Sequence, residues 1–130
     1  MGFEVEAKRA AIRLLASRSH FSSELRRKLA GKGYPREAIE EALRECTRLG
    51  YLNDEERTRA FIEREKQKGN GPALIAYKLK EKGMNAEVAF DQEEAIRRLL
   101  PRYRLKDRVK TIRSLCRKGF GLESILRSLA

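Results

Sequence analysis

Several features are scarce in this chain. One histidine and two cysteines among 130 residues leave no Cys-x-x-Cys or His-rich spacing of the kind that builds a metal site. Cys46 and Cys116 fall in helical patterns beside apolar neighbours, and each is expected as a buried free thiol. His20 stands alone before Phe21 at a helix start, the position of a capping or surface group rather than of a base. No Gly-x-x-x-x-Gly-Lys-Ser/Thr phosphate loop occurs. The opening MGFEVEAKRA holds no apolar segment of a signal peptide, and the longest apolar runs are far too short to span a bilayer. Carboxylates are plentiful, yet all sit in ordinary helical charge patterns, so none is marked as half of an acid–base pair. These absences argue against an enzyme, a metalloprotein and a membrane protein. They fit a cytoplasmic protein without cofactor or catalytic residues.

What is present is charge. Lys and Arg total 30 against 19 Asp and Glu, a net +11, with 41% apolar residues to support a core. An excess of this size predicts a negatively charged partner, nucleic acid first and an acidic protein surface second.

One short pattern recurs. Residues 29–39 read LAGKGYPREAI, 79–89 read LKEKGMNAEVA and 115–125 read LCRKGFGLESI. Each is explained by helix termination: glycine at the first position beyond the cap takes a left-handed backbone without a Cβ penalty. The Schellman motif then brings the leucine four residues before it against the large apolar residue after it. Gly33 pairs Leu29 with Tyr34, Gly83 pairs Leu79 with Met84, and Gly119 pairs Leu115 with Phe120. The preceding Lys32, Lys82 and Lys118 suit the negative end of the helix dipole. Each turn is expected to lead into a new helix with Glu37, Glu87 or Glu123 in its first turn.

The rest of the chain is also helical in period. Ile39, Leu43, Cys46 and Leu49 follow the spacing of one helix face, as do Phe21, Leu25 and Leu29. Asn53-Asp54-Glu55-Glu56 reads as an N-cap with a glutamate three residues on, and Gly71-Pro72 as a helix start with proline at the first helical position. No stretch alternates convincingly with period two. The pattern predicts helices near 4–17, 22–32, 36–49, 54–68, 72–82, 86–99, 105–118 and 121–129, with two short helices sharing 86–99. The expected architecture is all-α: tandem three-helix repeats over 1–50, 51–91 and 92–130, the third shortened, stacking into an elongated curved body. Tyr34, Tyr51, Tyr77 and Tyr103 are expected chiefly as core or cap residues, with base stacking as the alternative.

Charge divides unevenly. Residues 1–65 carry 14 Lys/Arg and 12 Asp/Glu, whereas 66–130 carry 16 and seven, or +9. Within 97–118 stand Arg97, Arg98, Arg102, Arg104, Lys106, Arg108, Lys110, Arg113, Arg117 and Lys118 with one acid, Asp107. A neutral solvated face would mix signs at i, i+4, so this segment is the candidate contact for DNA or an acidic partner. Arg26, Lys32, Lys78 and Lys82 are further candidates. The mixed charge around Arg26, with Glu24, Glu40, Glu41 and Glu45, suits a protein surface better than a phosphate backbone.

The order of these motifs resembles the RecX family, the regulators of the RecA recombinase. The resemblance is carried by Leu14 to Leu29 with Lys32-Gly33 after it, by Gly50-Tyr51-Leu52-Asn53-Asp54 followed by Arg57, Ala60 and Phe61, and by Gly69-Asn70-Gly71-Pro72 with Ile75, Leu79 and Lys82-Gly83. Arg117-Lys118-Gly119-Phe120 is similar to the family's final repeat, although the interval before it is short for the family. The resemblance implies tandem three-helix repeats in an elongated, curved molecule that binds the groove of the RecA filament on single-stranded DNA, and a monomer is expected. It implies inhibition of ATP hydrolysis, strand exchange and coprotease activity, with direct DNA binding also described for the family. It brings no catalytic residues. The competing expectation from charge alone is a free-standing, non-specific DNA-binding helical protein.

Overall fold

The computed structural model describes residues 3–103 and 107–130. Among these, eight α-helices and one 3-10 turn account for the regular structure and no strand forms: α1 (Phe3–Ser17), α2 (Ser22–Gly31), α3 (Arg36–Arg48), α4 (Asp54–Gln67), α5 (Pro72–Glu81), α6 (Gln92–Leu99), the 3-10 turn Leu100–Arg102, α7 (Arg108–Arg117) and α8 (Leu122–Leu129). The all-α expectation and most helix bounds agree with this to within a residue or two. The chain divides into two compact units, Met1–Arg59 and Ala60–Ala130.

In the first unit α1 packs chiefly on α3. Both helices bury alanines one turn apart, Ala7 and Ala11 on α1, Ala38 and Ala42 on α3, and such small residues let two helix backbones approach closely. Leu25, Leu29, Ile39, Leu43, Cys46 and Leu52 complete the core, with Tyr34 packed against it. Each buried leucine stabilises the unit by about 1.5–3 kcal/mol relative to exposure. The start of α2 is held twice. The Phe21 amide donates to Glu24 Oε1 at 3.0 Å, and Asp54, in the first turn of α4, accepts from the Ser22 amide at 2.8 Å and from the Ser22 hydroxyl. Asn53 caps α4 as expected, its Oδ1 accepting from the Glu56 amide at 3.1 Å.

His20 departs from expectation. It is buried, and its two ring nitrogens find partners in the turn before α2 and on α2 itself. Lys28 Nζ can only donate, so its 2.8 Å contact makes Nε2 the acceptor and leaves the proton on Nδ1, which donates to the Arg18 carbonyl at 2.8 Å. Burial, aided by the neighbouring Lys28 and Arg18 charges, holds the imidazole below its ordinary value against the opposing bond to Arg18. Cys46 is buried as expected, whereas Cys116 is exposed: on α7 it lies opposite the side that carries Thr111 and Leu115 inward.

The second unit closes over Ile96, Leu99, Leu115, Phe120 and Ile125, with Phe61, Ile75 and Leu79 buried on α4 and α5. The three recurrent turns are Schellman motifs. Gly33, Gly83 and Gly119 have φ of 90°, 84° and 98°, and the Tyr34, Met84 and Phe120 amides donate to the Leu29, Leu79 and Leu115 carbonyls at 3.4, 2.9 and 3.2 Å. Two more of the same kind end α3 and α4 at Gly50 and Gly69, where Tyr51 donates to Cys46 and Asn70 to Glu65. The sequence pattern missed these because no Leu-x-x-Lys precedes them.

The stretch after Gly83 is the main correction. Instead of two short helices over 86–99, residues 84–91 are irregular and only α6 forms. Met84, Ala86, Val88 and Phe90 are partly buried while Asn85, Glu87 and Ala89 are exposed, which is the two-residue period of an extended chain. Glu87 therefore starts no helix, unlike Glu37 and Glu123. Helix begins only at Asp91, whose Oδ1 accepts from the Glu94 amide at 3.1 Å.

Candidate nucleic-acid and protein interface

The one acid of the cationic segment is already engaged. Asp107 caps α7 by accepting from the Lys110 amide at 3.0 Å, and its other oxygen lies 3.8 Å from Lys110 Nζ in an exposed pair. Such a pair is worth little in water, so the cap does not neutralise α7. The helix buries Thr111 and Leu115, and the Tyr103 hydroxyl meets Ser114 Oγ at 2.8 Å, tying the end of the 3-10 turn to the helix. The opposite face carries Lys110, Arg113 and Arg117. Their spacings of three and four residues place them in a row over about 10 Å of helix. With Tyr103, Asp107 and Ser114 this row lines a shallow groove.

A second groove of the same unit gathers Arg98 and Arg102 with Lys66, Leu99 and Phe120, but also with Glu63, Asp91 and Glu94. Here Arg98 is bonded to Glu94 at 2.8 Å, and the Lys66 ammonium stands 4.9 Å from the centre of the Phe90 ring.

The predicted contact residues thus separate by environment. Lys32, Arg97, Arg102, Arg113, Arg117 and Lys118 have no ion pair among the described residues. Arg26 is joined to Glu40 at 2.7 Å, a bond that lowers the Glu40 carboxyl. The Arg108 guanidinium donates to the Leu129 carbonyl at 3.1 Å, and Lys82 lies 5.8 Å from the Phe61 ring centre. Arg104 and Lys106 lie outside the described residues.

Lys78 is engaged most firmly. Its ammonium reaches Glu65 Oε1 at 2.6 Å, and Glu65, only 2% exposed, also accepts from Lys68 and from the Asn70 amide group, both at 3.0 Å. Burial pushes this carboxyl up, but the bonds from Lys78, Lys68 and Asn70 outweigh burial and bring it down to about 2. Sequence reading gave no sign of this cluster, because Lys78 and Glu65 are 13 residues apart on different helices. Among the tyrosines, Tyr51 and Tyr77 are exposed rather than in the core. No group of three His, Cys, Asp or Glu able to hold a metal ion occurs among the described residues, and no described helix is long and apolar enough to cross a membrane.

The fold is all-α, built of short capped helices, and among the described residues Arg113 and Arg117 on one face of α7 have no ion pair. Residues 7–46 match the family described as "RecX, first three-helix domain". The Regulatory protein RecX of Pseudomonas fluorescens is 30% identical, over 97% of this chain and 91% of that protein. The Regulatory protein RecX of Escherichia coli O1:K1 is 33% identical, over 88% of this chain and 84% of its own length. The crystal structure of RecX from Lactobacillus salivarius has the same fold, with a TM-score of 0.83 at 21% identity over 98% of this chain and 97% of that one. The chain belongs to the RecX family of regulatory proteins.

Proposed function

We propose that this chain regulates a RecA recombinase in DNA repair and recombination. It binds the filament that the recombinase forms on single-stranded DNA and inhibits ATP hydrolysis, strand exchange and coprotease activity. It acts as a cytoplasmic monomer without chemistry of its own. The observation that carries this reading is family membership over nearly the whole chain. The row Lys110, Arg113, Arg117 supports it, since DNA in such a filament carries phosphates that attract cationic side chains. The same proposal keeps three repeats at 1–50, 51–91 and 92–130, the second completed by the extended segment 84–91 rather than by a helix.

The test is the DNA-dependent ATPase of a RecA recombinase titrated with this protein. Inhibition at substoichiometric amounts is expected, and an unchanged rate at molar excess would remove the proposal. A free-standing DNA binder is the second reading, favoured by the same unpaired arginines. It requires tight, salt-steep binding to naked oligonucleotide with no recombinase present.

A further inference from the structure

The extended segment between α5 and α6 is anchored at both ends. The Met84 amide donates to the Leu79 carbonyl at 2.9 Å. Phe90 packs against the second unit's core, with the Lys66 ammonium 4.9 Å from its ring centre. Between these anchors Ala86 and Val88 are partly buried, while Asn85, Glu87 and Ala89 are exposed. Among the described residues, no backbone amide or carbonyl of 85–90 has a hydrogen bond within the protein. In an extended chain alternate residues turn both groups to opposite edges. A preformed row of free donors and acceptors is a template for another extended chain. Two strands alone are marginal in water, but one side of this segment is already packed.

The charge here is opposite to that of the chain as a whole. Residues 83–96 hold Glu87, Asp91, Glu93 and Glu94 and no Lys or Arg, in a chain of net +11. Asp91 caps α6 and Glu94 is bonded to Arg98 at 2.8 Å. Glu87 and Glu93 have no ion pair among the described residues, and Glu87 stands in the middle of the exposed side. A DNA strand would bring phosphates against these carboxylates and be repelled. A second copy pairing through the same segment would set acid against acid, and like charges across a ladder are destabilising. A helix bonds its own backbone groups and leaves the edge unpaired. An extended peptide that alternates aliphatic and cationic residues satisfies every feature. Its backbone completes the edge, its aliphatic side chains continue the packed side, and a cation lies beside Glu87. We infer that segment 84–91 docks an extended basic segment of a protein partner by strand addition. The inference rests on the regulatory reading only in taking the partner to be a protein, and it gives that partner a contact separate from the α7 arginines.

The test uses the full chain and a fluorescent peptide of alternating lysine and valine. The net positive charge of the chain opposes binding of such a peptide elsewhere. Binding is expected to slow hydrogen exchange at alternate amides of 85–90, those of one edge only. Ala86→Pro and Ala89→Pro each remove one amide donor, from opposite edges, and proline keeps the residue before it extended. At least one of the two is expected to weaken binding at least 10-fold. The wild-type chain should show the same loss with a peptide N-methylated throughout, or with its lysines replaced by glutamate, and these arms depend on no variant folding. Failure of the unmodified peptide to bind overturns the inference. So does an affinity that stays within twofold after full N-methylation or in both proline variants. Protection of the same amides by oligo-dT, or by raising the concentration of the chain alone, in place of protection by the peptide, overturns it too. Where the wild-type chain inhibits the recombinase, the weakened proline variant should need at least 10-fold more protein for half-inhibition. A wild-type chain that leaves the ATPase untouched defeats the regulatory reading, while the peptide arms still decide strand addition.

Discussion

Gly71 and Gly119 meet backbone to backbone, so that the end of α7 caps the start of α5. The Gly71 amide donates to the Lys118 carbonyl at 2.6 Å and the Ala73 amide to the Gly119 carbonyl at 3.1 Å. Two amides at the start of α5, which have no partner inside their own helix, thus donate to the carbonyls of the two residues that follow α7. A Cβ on Gly71 would lie 2.5 Å from the Gly119 carbonyl carbon, and one on Gly119 would lie 2.4 Å from the Leu74 nitrogen.

This contact separates two glycines that look alike in sequence. Gly33 has φ 90° but open space around it, whereas Gly119 has φ 98° and backbone in the way. Gly33→Ala should cost about 1–2 kcal/mol, the strain of a left-handed backbone alone. Gly119→Ala should cost about 2–5 kcal/mol, because forced displacement of packed backbone adds to that strain. Urea denaturation of both variants checks the order, and equal losses would contradict the junction.

Glu65 should make stability depend on acid in a defined window. Its carboxyl titrates at about 2 in the fold against an ordinary 4.5. Below 4.5 the unfolded chain takes up a proton that the folded chain refuses. The contribution is therefore complete above about pH 4.5 and lost as pH falls toward 2. Glu65→Gln should cost about 2 kcal/mol at neutral pH and flatten the decline of Tm in that window. A variant with the wild-type acid profile would show that the cluster is not responsible.

The single histidine titrates in a different window. His20 is held below its ordinary 6.5, so as pH drops through 6.5 the unfolded chain binds a proton first and stability begins to fall. An NMR titration of the one imidazole should give a midpoint below 6.5, with the Nδ1 tautomer protonated at neutral pH. A midpoint at or above 6.5 contradicts the Lys28–His20–Arg18 arrangement.

The α7 row can be counted by salt. Arg113→Gln/Arg117→Gln should lower the salt slope of binding to single-stranded DNA, alone or in the filament, by about 1.4, or 0.7 per lost phosphate contact. Arg26→Gln, which removes a residue already joined to Glu40, should change that slope little. Equal effects would place the contact elsewhere than on α7.

Local chemistry made much of this legible from residues alone. Lys-Gly-apolar turns, the Asn53 cap and Gly71-Pro72 each act within five residues, and the structure has helix ends at all of them. The concentration of cations over 97–118 is likewise a property of the chain. The segment 84–91 was legible in principle, since Met84, Ala86, Val88 and Phe90 alternate, but a helical reading of Glu87 hid that period.

Other features depended on what folding brings together from distant positions. Lys78 and Arg113 are both basic residues on helices, and no local signal distinguishes them. Glu65 arrives beside Lys78 from another helix, while no acid among the described residues pairs with Arg113. The same holds for Ser22 with Asp54, 32 residues apart, and for Gly71 with Lys118. Helix ends obey short-range sterics and capping, so composition and spacing specify them. Which charges remain exposed and unneutralised depends on long-range packing, because a counter-ion acts through space and takes no account of separation along the chain.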